Sequence, residues 1–91
     1  MMTERPQLIL YSKPGCHLCE GVYDKLQQVR GFAFDLEVRD ITTNPDWFAA
    51  YQYDIPVLTW VCEGQEIPLP RCSSRTSPAK LEQMLQNALE R

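Results

Sequence analysis

Residues 11–20 read Tyr-Ser-Lys-Pro-Gly-Cys-His-Leu-Cys-Glu, and this stretch joins a short apolar run to a segment with helical spacing. Leu8-Ile9-Leu10-Tyr11 is continuously apolar and is ended by Ser12-Lys13-Pro14-Gly15, the pattern of a strand buried on both faces. From Leu18 the apolar residues Leu18, Val22, Leu26 and Val29 recur at spacings of four, four and three, which predicts an amphipathic helix that stops at Gly31. Cys16 and Cys19 therefore open a helix that directly follows a central strand. A Cys-x-x-Cys pair can grip a metal, lock a fold or pass electrons, and the surrounding chain has to decide among these.

Downstream, Phe34, Leu36 and Val38 alternate with Asp35, Glu37 and Arg39, which predicts an edge strand with one apolar and one polar face. Asn44-Pro45 reads as a helix cap followed by proline in the first turn, and Trp47, Phe48 and Tyr51 give that short helix an apolar side. Val57 to Cys62 is β-branched, aromatic or apolar and predicts a second central strand, while Glu63-Gly64-Gln65 turns the chain into Ile67-Pro68-Leu69-Pro70. Prolines cannot donate to a ladder, so that last strand belongs on an edge. Ser77-Pro78 opens a final helix whose Leu81, Met84, Leu85, Ala88 and Leu89 keep helical period to the end of the chain. The order βαβαββα predicts an α/β fold with a four-stranded mixed sheet of order 2-1-3-4. Its first two strands are parallel across a right-handed crossover, and its last two form an antiparallel hairpin.

Ninety-one residues, 44% of them apolar, suffice for one core, so residues 1–91 are expected to form a single domain. A net charge of -3 and the lack of any Lys/Arg run argue against nucleic acid as a partner. The polar N-terminal arm lacks a secretory pattern, and no apolar run approaches the roughly 20 residues needed to span a bilayer. We expect a cytoplasmic protein without membrane association. In such a compartment ordinary thiols stay reduced, so four cysteines point to catalysis or metal binding before a stabilising framework.

Cys16 falls where unpaired backbone N–H groups and the helix dipole favour a thiolate. Thiols so placed can fall from about 8.5 into a range of roughly 3.5 to 7.5. Cys19, nearly one turn on, is expected beneath it and less exposed. This asymmetry suits a two-step exchange, with attack by Cys16 on a disulfide followed by attack of Cys19 on the mixed disulfide. His17, when protonated, would further favour the thiolate; its bland reading is a polar residue at a helix start.

The strand ending in Tyr11-Ser12-Lys13-Pro14-Gly15-Cys16-His17-Leu18-Cys19, the βαβαββα order, and Asp54-Ile55-Pro56-Val57 at the third strand together resemble the glutaredoxin branch of the thioredoxin superfamily. The closest resemblance is to short glutaredoxin-like proteins with a Cys-His-Leu-Cys site. It implies a thioredoxin-like fold of glutaredoxin type with helices on both faces of the sheet, and thiol-disulfide oxidoreductase activity. It further implies Cys16 as nucleophile, Cys19 as resolving thiol and Pro56 as a cis-proline facing the pair, with the backbone of Ile55 open to a substrate chain. Lys13 matches the lysine that contacts a glutathione carboxylate in that family, and Pro14 and His17 beside the pair are further candidates for substrate contact. The site departs from the usual Cys-Pro-Tyr-Cys, and Arg71-Cys72-Ser73-Ser74-Arg75 stands where glutaredoxins carry a Gly-Gly turn that helps hold glutathione.

Strand directions return the loop after Pro70 to the active-site end and leave Cys62 at the opposite pole. Arg71 and Arg75 are then candidates for contacts to an anion or a protein partner. Cys72 is either a third redox thiol or a small side chain filling the loop. Cys62 and Cys72 fall on the order of 20 Å apart, too far for a disulfide between them. We expect no tightly bound cofactor and no metal. The expected partners are protein disulfides, with glutathione as a co-substrate or a thioredoxin or glutaredoxin reductase as donor, acting on a monomer. A metal-binding or iron-sulfur-carrying module and a redox-inert interaction domain are the alternatives left open.

Overall fold

The structure, a computed structural model, describes residues 6–31, 33–73 and 75–89. The residues before Pro6, Phe32, Ser74 and the residues after Leu89 lie outside the described residues. The elements in chain order are β1 (Gln7–Ser12), α1 (His17–Gln27), β2 (Asp35–Asp40), a 3-10 turn (Ile41–Thr43), α2 (Pro45–Tyr51), β3 (Val57–Cys62), β4 (Gln65–Pro68) and α3 (Pro78–Leu89). They form one four-stranded sheet of order β2-β1-β3-β4, with β1 parallel to β2 and antiparallel to β3, and β3 antiparallel to β4.

Alternation along β1 divides the core. Leu8 and Leu10 face α1 and α3, packing with Val22, Leu26, Leu58, Leu69, Leu81 and Leu85. Ile9 and Tyr11 face the other way, against Ile41 and the partly buried Trp47, Tyr51, Ile55, Val57 and Val61. A strand flanked on both faces must be apolar at every position, which is why Leu8 to Tyr11 carries no polar residue. Helices accordingly lie on both sides of the sheet, and the fold is α/β and thioredoxin-like.

Three local expectations need correction. Helix α1 ends at Gln27 rather than near Gly31, because the N–H groups of Gln28 and Val29 bond back to Lys25 O and Leu26 O, three residues away, and tighten the last turn. Val29 still packs against the core from outside the helix. Strand β4 starts at Gln65 and ends at Pro68, because Glu63 and Gly64, with φ of 54° and 80°, close a two-residue turn of type I′ character that pairs Cys62 with Gln65 at once. The third correction concerns β2. Its apolar face packs Phe34 and Leu36 on the core but leaves Val38 at 48% exposure, and on its polar face Arg39 is stacked 4.9 Å from the Trp47 ring. Edge position explains both: α1 reaches over β1 but not fully over β2, while α2 brings an aromatic ring to the other side.

Candidate active site

The link from β1 to α1 is a tight turn. Lys13 O accepts from Cys16 N at 3.2 Å, Pro14 occupies the second position and Gly15 the third with φ of 82°. This is the sequence and conformation of a type II turn, whose third residue must adopt a positive φ. The turn delivers Cys16 to the N-cap of α1 in an extended conformation, φ -86° and ψ 101°. Its sulfur accepts from the Cys19 N–H at 3.2 Å, which is the position a capping oxygen takes in other helices.

Cys16 and Cys19 form a disulfide with their Cα atoms 5.3 Å apart. Cys16 is partly exposed, whereas Cys19 is 3% exposed and packed behind it. His17 projects into solvent, with Nδ1 3.6 Å from Glu20 Oε1, and Leu18 between the cysteines is 57% exposed. Lys13 and Pro14 are exposed beside the pair.

The Ile55–Pro56 peptide bond is cis, as the resemblance implies. The N–H of Ile55, however, is not open to an incoming chain, because it donates to Tyr51 O at 3.1 Å at the end of α2. Only a structure could show this, since the bond depends on where α2 stops.

The strand directions behave as expected. Leu69 N donates to Leu58 O, opposite Leu10, so β4 returns toward the end of the sheet where β1 delivers the cysteines. Cys62 pairs with Gln65 at the far turn. Both Cys62 and Cys72 are free thiols. Arg71 and Arg75 are exposed, and Arg75 N donates to Ser73 Oγ at 3.2 Å. Cys72 packs partly buried against the core cluster of β1, β3, α1 and α3, and burial pushes its thiol up, with the Arg71 charge acting in the other direction. A thiol held protonated in this way favours the loop-filling reading over a third redox role.

Two features were not singled out in the sequence. A groove of about 520 Å³ runs beside Cys19 between α1 and the edge of β2, with Tyr23, Asp24 and Val38 in its walls. Tyr23 lies four residues after Cys19, so helical spacing alone could have placed it on the same face. On the opposite side of the sheet, Tyr11 donates to Glu66 at 2.6 Å, and Thr59 donates to the same carboxylate at 3.0 Å. Arg39 donates to Tyr11 at 3.1 Å. Burial first and the Glu66 carboxylate second push the Tyr11 phenol far above its ordinary value. Among the described residues no group of three His, Cys, Asp or Glu is placed to hold a metal ion, and no helix is long and apolar enough to cross a membrane.

A disulfide-forming pair at the start of the first helix, on a 2-1-3-4 sheet with a cis-proline opening β3, defines a glutaredoxin-like protein of the thioredoxin superfamily. Residues 7–86 match the glutaredoxin-like domain (DUF836), and the chain belongs to that family. No curated protein shows significant sequence similarity. Among solved structures, a structural-genomics protein from X. campestris is 28% identical with a TM-score of 0.63, covering 88% of this chain and 96% of its own. A Nitrosomonas europaea protein is 28% identical with a TM-score of 0.66, covering 89% and 92%. Thioredoxin 1 from Thermosipho africanus, at 20% identity and a TM-score of 0.62 over 92% and 94%, is similar in fold.

Proposed function

We propose that the protein is a cytoplasmic thiol-disulfide oxidoreductase that reduces protein or glutathione mixed disulfides and works as a monomer with no tightly bound cofactor. The observation that carries this reading is the asymmetry of the pair, with Cys16 partly exposed at the helix cap and Cys19 buried behind it. In the reduced protein the Cys16 thiolate, facing the Cys19 N–H and the positive end of α1, attacks one sulfur of a substrate disulfide and expels the other as a thiolate. Cys19 then loses its proton and attacks Cys16 Sγ, which releases the second substrate thiol and leaves the Cys16–Cys19 disulfide. Two electrons from glutathione or from a protein reductase return the pair to the dithiol. Lys13, Pro14, His17, Arg71 and Arg75, together with the Ile55–Pro56 corner, are the groups proposed to meet the substrate.

The test is to follow reduction of a glutathione mixed disulfide and of a protein disulfide, each with glutathione plus its reductase and separately with thioredoxin reductase. Turnover above the uncatalysed rate in one of these systems, lost in Cys16→Ser, is expected. No turnover in any of them, with a Cys16 that resists alkylation at pH 6, would leave a redox-inert module.

A further inference from the structure

The groove beside Cys19 has an apolar floor and a charged rim. Its floor is Leu10, Val38, Tyr23 and Cys19 itself, and its rim carries Lys13 at the sulfur end and Glu20 and Asp24 along α1. Val38 and Tyr23 are large apolar side chains left 48% and 40% exposed. An apolar groove that reaches the buried sulfur of the pair and carries a few charged groups at its rim has the form of a binding cleft. One cation against two carboxylates leaves the rim net negative by one charge. Glutathione, with two carboxylates and one ammonium, fits such a rim poorly beyond Lys13.

We propose that this groove receives the polypeptide flanking the substrate's cysteine, and that it selects a segment with an apolar residue followed by a basic one. This deepens, and rests on, the reading of Cys16 as the attacking thiol. Distances along α1 set the spacing. Tyr23 and Asp24 lie on the order of 10–12 Å beyond Cys16 at about 1.5 Å per helical residue. An extended chain covers that span in about three residues at roughly 3.3 Å each. The apolar side chain therefore belongs within about three residues of the substrate cysteine, against Tyr23 and Val38. The basic one belongs about three residues away, facing Asp24 and Glu20.

The experiment uses reduced protein carrying Cys19→Ser and tetrapeptides whose cysteine is activated as a mixed disulfide with a chromophoric aryl thiol. Cys16 attacks the peptide sulfur, the Cys16–peptide disulfide forms and the aryl thiolate leaves, so its absorbance reports the rate. Mass spectrometry assigns the adduct to Cys16. The probes are Cys-Gly-Leu-Lys and Lys-Leu-Gly-Cys, which cover both chain directions, each with Glu in place of Lys and with Gly in place of Leu. The Lys peptide of one direction is expected to react about three- to tenfold faster than its Glu counterpart, with the advantage shrinking at high salt. Asp24→Asn should halve that advantage or better, and Glu20→Lys with Asp24→Lys should invert it. A ratio of rates cancels any change these variants make to the intrinsic reactivity of Cys16. Equal rates for Lys and Glu peptides in both directions, or a preference untouched by the Asp24 variants, would overturn the proposal. Attack on an activated disulfide needs only an accessible thiol, so the ratio can be read even from a chain that turns over no disulfide catalytically.

Discussion

A thiol takes its reactivity from what it faces, and Cys16 and Cys72 face opposite surroundings. Cys16 looks onto the N–H groups at the start of α1, while Cys72 packs partly buried against the apolar core between the sheet, α1 and α3. The first expectation concerns roles within the pair. Cys19→Ser should accumulate a mixed disulfide through Cys16 that persists on a non-reducing gel, and Cys16→Ser should accumulate none; the reverse pattern would exchange the two roles. The second expectation concerns Cys72, whose thiol burial raises above its unfolded value. Between those values the unfolded chain has lost a proton that the folded chain keeps, so stability is fully present below roughly pH 8.5 and falls as pH rises from there. Urea unfolding of the wild type at pH 7 and above pH 9 should show that loss, and it should shrink in Cys72→Ala. The two cysteines of the site were legible because a three-residue spacing carries its own geometry. The state of Cys72 was not, since a loop residue's burial depends on which helices close over it.

At the scale of elements, the turn from β1 into α1 decides whether the sulfur reaches its cap. Gly15 has φ of 82° with open space where a Cβ would stand, so a substitution there meets only backbone strain. Gly15→Ala is expected to cost roughly 1–2 kcal/mol in chemical denaturation and to slow Cys16 attack on a disulfide, since relaxing the turn moves the cap. Gly31 is different in kind. A Cβ there would run into the Glu82 side chain of α3, whose carboxylate accepts from Gly31 N at 3.3 Å. That carboxylate is the far end of a flexible side chain, so an added Cβ would displace the contact rather than the helix. Periodicity located α1 and α3 and alternation located the strands, because each is a local property of the chain. The end of α1 and the start of β4 were misread because helix tightening and a two-residue turn depend on single backbone bonds that leave no periodic trace.

Over the whole molecule, sheet order was readable because continuous apolar runs had to be central and the alternating and proline-bearing strands had to be edges. The polar network that crosses that sheet was not readable, since it joins residues far apart in sequence through registers only folding sets. Glu66 on edge strand β4 accepts from Thr59 on β3 and Tyr11 on β1, and Arg39 on the other edge reaches Tyr11 and, at 3.4 Å, Glu66 itself. One carboxylate thus ties all four strands together on the face of the sheet that carries Tyr11. Tyr11 and Thr59 are 1% and 2% exposed, and both hydroxyls give their hydrogen bond to this one carboxylate. Glu66→Ala should therefore cost roughly 2–4 kcal/mol, far more than Gln65→Ala on the same exposed edge. Glu66→Gln keeps an acceptor and should cost less. A double-mutant cycle separates this account from simple loss of packing: Tyr11→Phe removes the stranded donor, so it should be less costly in the Glu66→Ala background than in the wild type. Additive costs in urea unfolding would show that Tyr11 and Glu66 act independently and that the carboxylate does not tie the sheet.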